Sequence, residues 1–325
     1  MTTLTRTDMQ RVSDLVYTHL QPTPALAWPL LGEEVGVETW VKHENHTPIG
    51  AFKVRGGLVY LEELQRSGHA REIVTATRGN HGQSIPFAAR LHDIPVHVYV
   101  PEGNSAEKNA AMRAWGAHLH VHGVDFDEAK EAAAREAQSR DAHLIPSYSE
   151  HLVRGVATYG LELMQAVEDL DVIYVPIGMG SGACSLIAVR DMLGLSTEIV
   201  GVVSAVADAM ARSLEAGRIV HTDTARTFAD GVATRMPHPD AFEVMAKGLA
   251  RVVRVSDDEV AAAIRLLYRT THNIAEGAGA AATAALVQEA RTGKLKHRRV
   301  AVILSGGNID KEWFAAVLSG ATPSV

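Results

Sequence analysis

Short, nearly unbroken runs of Val and Ile alternate along this chain with longer stretches whose apolar residues recur every three or four positions. The runs predict strands over residues 38–42, 73–76, 96–100, 118–122, 172–175, 199–203 and 300–304. Strands that are apolar on both faces suit a parallel sheet covered by helices on either side. The longer period predicts helices over 105–115 and 155–167, and over the Ala-rich stretch 127–140, whose charges fall on its outer face. Ser256-Asp257-Asp258-Glu259 spells a capping box and opens a helix running to about Thr270. This alternation implies an α/β fold with mostly parallel sheets and right-handed crossovers. Ligands in such folds gather at the carboxyl ends of strands.

Composition narrows the function without choosing it. A net charge of −7 argues against a nucleic-acid surface. No apolar run approaches the roughly 20 residues that span a bilayer, and the first residues lack the apolar core of a signal peptide, so a cytoplasmic protein is expected. Cys184 is the only cysteine, which excludes an intrachain disulfide and a cysteine-cluster metal site. His118, His120 and His122 share one strand face, either as metal ligands or as a solvated sheet edge. His43 and His46 are three apart rather than the four of a zinc-protease helix, and no metal is expected.

The chemistry sits in four stretches rich in glycine. In Pro48-Ile49-Gly50-Ala51-Phe52-Lys53-Val54-Arg55-Gly56-Gly57 a lysine lies between an aromatic residue and an apolar run. Read one way it is a solvated lysine opening a helix; read the other, a desolvated amine with a lowered pKa, able to act as a nucleophile. Thr77-Arg78-Gly79-Asn80-His81-Gly82 follows a predicted strand and opens a helix, with Asn80 either a cap or a site residue and the free N–H groups suited to a carboxylate or phosphate. Gly178-Met179-Gly180-Ser181-Gly182 does the same after the strand at 172–175. It lacks the Gly-Lys-Ser/Thr ending of a P-loop and lies past mid-chain, unlike a dinucleotide loop, so it reads as a cradle for a single phosphate. Ser305-Gly306-Gly307-Asn308 ends the last strand, either as part of a site or as an ordinary turn with Asn308 as the helix cap. A reactive lysine, a phosphate cradle, an anion-binding turn and a strand-end serine together describe a site for pyridoxal 5′-phosphate.

In their order and spacing these motifs resemble the fold-type II pyridoxal-phosphate enzymes, in the group of threonine and serine dehydratases, serine racemase and hydroxyaspartate ammonia-lyases. The resemblance runs from about Thr23 to Asp310. It implies two open, twisted, mostly parallel sheets flanked by helices, as in the tryptophan synthase β chain. Residues 1–64 and 147–325 would form a large cofactor-binding domain, and 65–146 a small mobile one. It implies that Lys53 is the Schiff-base lysine and base for the Cα proton, Phe52 the aromatic beside the cofactor ring, and Asn80 the partner of its 3′-oxygen. Gly178, Met179, Gly180, Ser181 and Gly182 would hold the phosphate, Ser305 the pyridine nitrogen, and Glu276 an acidic position near the ring. Thr77, Arg78, Gly79, Asn80, His81 and Ser147 would take the substrate carboxylate.

Four departures from the family pattern carry information. Ala51 stands where a serine is usual, which frees volume on the substrate side. Met179 and Ser181 interrupt a run of glycines. Val203 and Ala209 occupy the positions at which some relatives bind a divalent cation. Arg78 replaces a serine that racemases use as an acid–base group, and an arginine stays protonated. Arg78 therefore either contacts the substrate or forms a structural ion pair. The reaction implied is α,β-elimination from a β-hydroxy-α-amino acid, threonine- or serine-like or with a larger β-substituent such as that of phenylserine, giving a 2-oxo acid and ammonia. Hydroxyaspartate and hydroxylated products of compatible-solute breakdown, such as a hydroxyectoine-utilisation dehydratase would meet, stay open as substrates. The alternatives are a β-replacement synthase, a racemase or a weakly catalytic cofactor-binding protein. A small amino acid and a second copy of the chain, in a homodimer, are the expected partners, with no nucleic acid and no membrane.

Overall fold

The structure is a computed structural model and describes residues 3–68, 71–296 and 298–324. Its strands are β1 (Ala25–Ala27), β2 (Glu38–His43), β3 (Ile73–Ala76), β4 (Val96–Val100), β5 (His118–Val121), β6 (His143–Leu144), β7 (Val172–Pro176), β8 (Glu198–Ser204), β9 (Arg251–Val255) and β10 (Arg299–Leu304). The α-helices between them are α1 (Arg6–His19), α2 (Pro29–Val35), α3 (Lys53–Ser67), α4 (Asn80–Ala89), α5 (Ala106–Ala114), α6 (Phe126–Ser139) and α7 (Glu150–Ala166). They continue with α8 (Ser181–Leu193), α9 (Ala209–Ala216), α10 (Pro239–Gly248), α11 (Asp257–Thr271), α12 (Gly277–Arg291) and α13 (Lys311–Leu318).

Two sheets result. The larger has the order β1-β2-β10-β7-β8-β9, parallel except for β1. The smaller, β5-β4-β3-β6, is parallel throughout. The larger sheet is apolar on both faces, as its unbroken runs predict. Val172, Val200, Val300 and Val302 pack into one core with Ile264 and Leu267 of α11 and Leu286 of α12. Their neighbours Ile173, Ile199, Ala301 and Ile303 pack into another with Leu163 of α7 and Leu186 of α8. Successive side chains of a strand point to opposite faces, so each run feeds both cores.

The strands that the sequence pattern passes over are short or charged. β1 and β6 have too few residues to show a period. β9 reads Arg-Val-Val-Arg-Val and lies at the sheet edge, where Arg251 pairs with Glu198 and Glu289 and Arg254 with Asp208 and Glu215. Charge on an edge strand discourages pairing with other chains. α7 begins at Glu150 rather than 155, because Ser149 caps it by accepting from the Leu152 N–H. The capping box at Ser256 is present, and its helix ends at Thr271.

Packing of α3 on α7 fixes where the first glycine-rich stretch lies. A Cβ at Gly155 of α7 would stand 2.2 Å from the Arg55 carbonyl oxygen, so only glycine lets the two backbones touch. Below that crossing, fully buried Arg55 donates to both oxygens of Glu44, at 2.7 and 3.0 Å, and to both of Glu162, at 2.7 and 3.0 Å. Lys42 completes the cluster, bonding Glu162 and the Thr23 carbonyl. Two cations and two carboxylates balance in charge, which is what makes their burial tolerable.

Candidate active site

The candidate residues leave the carboxyl ends of neighbouring strands. Ser305 follows β10, the 178–182 loop follows β7, and Lys53 opens α3 after β2. From the small sheet, Thr77 follows β3, and Ser147 follows β6 beside it.

Backbone hydrogen bonds join the lysine loop to the serine loop. The Phe52 N–H donates to the Ser305 carbonyl at 3.1 Å, the Gly307 N–H donates to the Gly50 carbonyl at 2.9 Å, and Ala51 pairs with Gly306 as an antiparallel bridge. Side chains extend the joint. Asn308 Nδ2 donates to the Ile49 carbonyl and to Asn80 Oδ1, both at 2.8 Å, and Asn80 Nδ2 donates to Glu276 Oε1 at 2.6 Å. Neither asparagine caps its helix. The N-cap of α4 is Gly79, and that of α13 is Asp310. The turn readings of both residues are thereby corrected, since their amides are committed to the joint.

The charges at this joint are shifted from their ordinary values. Lys53 is half-buried, with its Nζ 5.0 Å from the centre of the Phe52 ring. Protein nevertheless surrounds its amine, and desolvation lowers its pKa to about 8 against the opposing pull of Glu276. Burial raises the Glu276 carboxyl to about 7, with Lys108 opposing and Asp230 adding to the shift. His81 is driven down to about 3 by burial and then by the charge of Lys53, which keeps it neutral. Glu276 Oε2 and His81 Nε2 are buried with no hydrogen-bond partner among the described residues. Orphaned buried polar atoms are uncommon, and two that both feel the Lys53 charge are what a polar ligand would satisfy.

The 178–182 loop, the candidate anion cradle, runs into a helix start. Gly180, at φ 99°, is the N-cap of α8, and Ser181 and Gly182 form its first turn. A Cβ at Gly178 would stand 2.2 Å from the Gly231 carbonyl oxygen, so the loop is held close to a neighbouring segment. Unpaired N–H groups at a helix start favour a phosphate. Met179 packs its side chain against the core, so its contribution to the cradle is main chain. A desolvated amine, two orphaned polar atoms and a helix-start cradle fit pyridoxal phosphate.

In the candidate anion-binding turn Thr77 and His81 are buried, and Arg78 alone is exposed. Thr77 Oγ1 accepts from the Gly79 N–H at 3.0 Å and shapes the turn. Arg78 is exposed, and no carboxylate among the described residues pairs with it, so the ion-pair reading of this residue is not what the structure has. Ser147 is half-buried in the loop that leads to α7. His118 and His120 lie on edge strand β5, whereas His122 lies beyond its end. Their rings stack on His97 at 5.0 and 5.1 Å, and among the described residues no three His, Cys, Asp or Glu side chains are arranged to hold a metal ion.

Three residues given no role by the resemblance border these candidates. Asn308 is the hub of the joint. Lys108 and Asp230 meet at 2.5 Å, and both charges act on Glu276. Only Asn308 carried a signal, its place directly after the strand-end Ser-Gly-Gly; the ion pair joins positions 122 residues apart.

The sequence profile of the pyridoxal-phosphate dependent enzymes matches residues 16–306. An L-threonine ammonia-lyase of Geobacter sulfurreducens is 34% identical over 311 residues, covering 95% of this chain and 77% of that protein. An L-threo-3-hydroxyaspartate ammonia-lyase of Saccharomyces cerevisiae is 28% identical over 316 residues, covering 96% of each. Among solved structures, the processed form of threonine deaminase isoform 2 from Solanum lycopersicum superposes with a TM-score of 0.89 at 26% identity, over 98% of this chain and 97% of that one. The chain belongs to the pyridoxal-phosphate dependent enzymes, in the group that includes the threonine ammonia-lyases. The fold and the cofactor implied by the four motifs are thus those of its family. Among the described residues no helix is long and apolar enough to cross a membrane.

Proposed function

We propose that the protein is an ammonia-lyase that eliminates water from a β-hydroxy-α-amino acid and yields a 2-oxo acid and ammonia. The observation that carries this reading is the Lys53 amine, desolvated to a pKa of about 8 at the start of a helix whose preceding residue, Phe52, is bonded to the Ser305 carbonyl. Pyridoxal phosphate, when bound, supplies the electron sink for charge left at Cα. The start of α8 would hold its phosphate, and Phe52, Asn80 and Ser305 would hold its ring. The turn from Thr77 to His81, with Ser147, holds the substrate carboxylate. Lys53, neutral in an appreciable fraction near neutral pH, takes the Cα proton. Hydrolysis of the enamine left after loss of water gives the 2-oxo acid and ammonia.

Arg78 has no ionic partner among the described residues, and this supports a role for it in reaching the substrate's β-substituent. With the volume freed at Ala51, substituents larger than a methyl group, phenylserine's or hydroxyaspartate's included, fall within the reading. A cytoplasmic homodimer is part of the same reading, by resemblance. The test is a panel of serine, threonine, phenylserine and hydroxyaspartate in all stereoisomers, with 2-oxo acid and ammonia measured. Equal release of both from at least one is expected. Inversion at Cα without 2-oxo acid would make the protein a racemase, and a cofactor band without any turnover would make it a binding protein.

A further inference from the structure

We propose that Lys108 is a positioning residue: its ammonium ties the small-sheet half of the molecule to the large-sheet half across the mouth of the site, and so sets how tightly substrate is held. Lys108 lies in the first turn of α5, just after β4, and only 8% of it is exposed. Its Nζ is 2.5 Å from Oδ2 of Asp230, in the segment that packs on the cradle loop through Gly231 and Gly178. The rest of its side chain lies along the anion-binding turn, and a Cβ at Gly79 would stand 3.3 Å from its Cδ. Lys108 thus touches the turn on one side and the cradle's neighbour on the other.

Two further bonds act beside it. Ser105 Oγ donates to Asp310 Oδ1 at 2.5 Å, and the Glu107 carboxylate accepts from the Lys311 N–H at 3.2 and 3.3 Å. The first turn of α5 is therefore joined to the large-sheet half at both Asp230 and the start of α13. Burial works against the Lys108 charge, but Asp230, Glu276 and Asp310 outweigh it and raise its pKa, so the cation persists. A buried ion pair adds little net stability over an apolar pair of the same size. What this one does add is registration, since it forms only when the two halves stand at one distance. A binding site assembled in a fraction of the molecules binds with an affinity reduced by that fraction.

The kinetic arm of the test rests on the lyase reading; the structural arm does not. In the holoenzyme, K108M and D230N are expected to keep the absorbance of the lysine-linked cofactor. Hydrogen exchange at residues 106–114 should speed up on the order of ten-fold as local opening becomes easier. KM for the best β-hydroxy amino acid should rise on the order of ten-fold, with kcat within about three-fold, since the competent fraction falls while the chemistry is untouched. K108R should restore most of both. Unchanged exchange together with unchanged KM in a folded K108M, or in D230N should K108M not fold, would overturn the proposal. If the wild-type protein turns over no amino acid in the panel, the lyase reading falls, and the exchange measurement alone still decides the role of Lys108.

Discussion

Asn308 donates to Asn80 side chain to side chain at 2.8 Å, joining the last strand of the large sheet to the first helix of the small one. Its second N–H goes to the Ile49 carbonyl, four residues before Lys53. One amide thus fixes two of the segments around the cofactor site. Asn308→Ala leaves the Ile49 carbonyl and Asn80 Oδ1 without their donor, at about 1–3 kcal/mol. The expected outcome is a lower thermal midpoint and a weaker hold on pyridoxal phosphate, both readable by titrating the cofactor into the cofactor-free variant.

Lys53→Ala removes the amine that defines the site. The absorbance of the lysine-linked cofactor and turnover should both vanish, while circular dichroism stays that of the wild type. A fully active variant would end the lyase reading.

Glu276 makes stability depend on pH in a defined direction. Its folded pKa of about 7 exceeds the ordinary 4.5, so the folded cofactor-free protein holds a proton that the unfolded chain releases. That contribution is complete below about 4.5 and is lost as pH rises through 7. His81 acts oppositely. Its folded value of about 3 lies below the ordinary 6.5, so stability is lost as pH falls below 6.5. The two overlap, and a single melting curve would mix them. The difference in midpoint between wild type and E276Q isolates the first: the standing of wild type relative to the variant should fall steadily between pH 5 and 7. A pH-independent difference would mean that Glu276 is ionised throughout.

Arg55 supports Lys53 from below. Arg55→Met would leave Glu44 and Glu162 buried with only Lys42 to balance them, and removing one partner of such a cluster costs about 3–5 kcal/mol. Urea unfolding of the cofactor-free protein should show the loss directly.

Arg78→Ser should behave in the opposite manner. An exposed side chain without an ionic partner among the described residues contributes within about 0.5 kcal/mol to stability. The midpoint should stay put while KM shifts across the substrate panel, most for the substrate whose β-substituent Arg78 reaches. A KM unchanged from wild type for every substrate would remove Arg78 from the site.

The motifs legible in the sequence are those in which chemistry and backbone conformation share one short stretch. Lys53 beside its glycines, the glycine loop before α8, and Ser305 at a strand's end each carry their own signal, because a tight turn at a strand's carboxyl end needs small residues. The large sheet was legible for a similar reason, since Val and Ile runs reveal burial on both faces. Long-range pairing was not. Asp230 is an acidic residue in an unremarked loop until the two sheets bring it to Lys108, and Arg55 and Glu162 are ordinary helix residues until α3 crosses α7. β9 escaped because its arginines, paired with carboxylates at the sheet edge, disguise a strand as a polar stretch.

The crossing at Gly155 has a consequence for how this pocket can be altered. Arg55 and Lys53 sit on the same first turns of α3, and the backbone of that turn rests directly on the α7 backbone. The position of the amine is therefore set by a contact holding no polar side chain, about a hundred residues further along the chain. Reshaping the pocket through its lining residues changes what the amine meets; a side chain at Gly155 would move the amine itself.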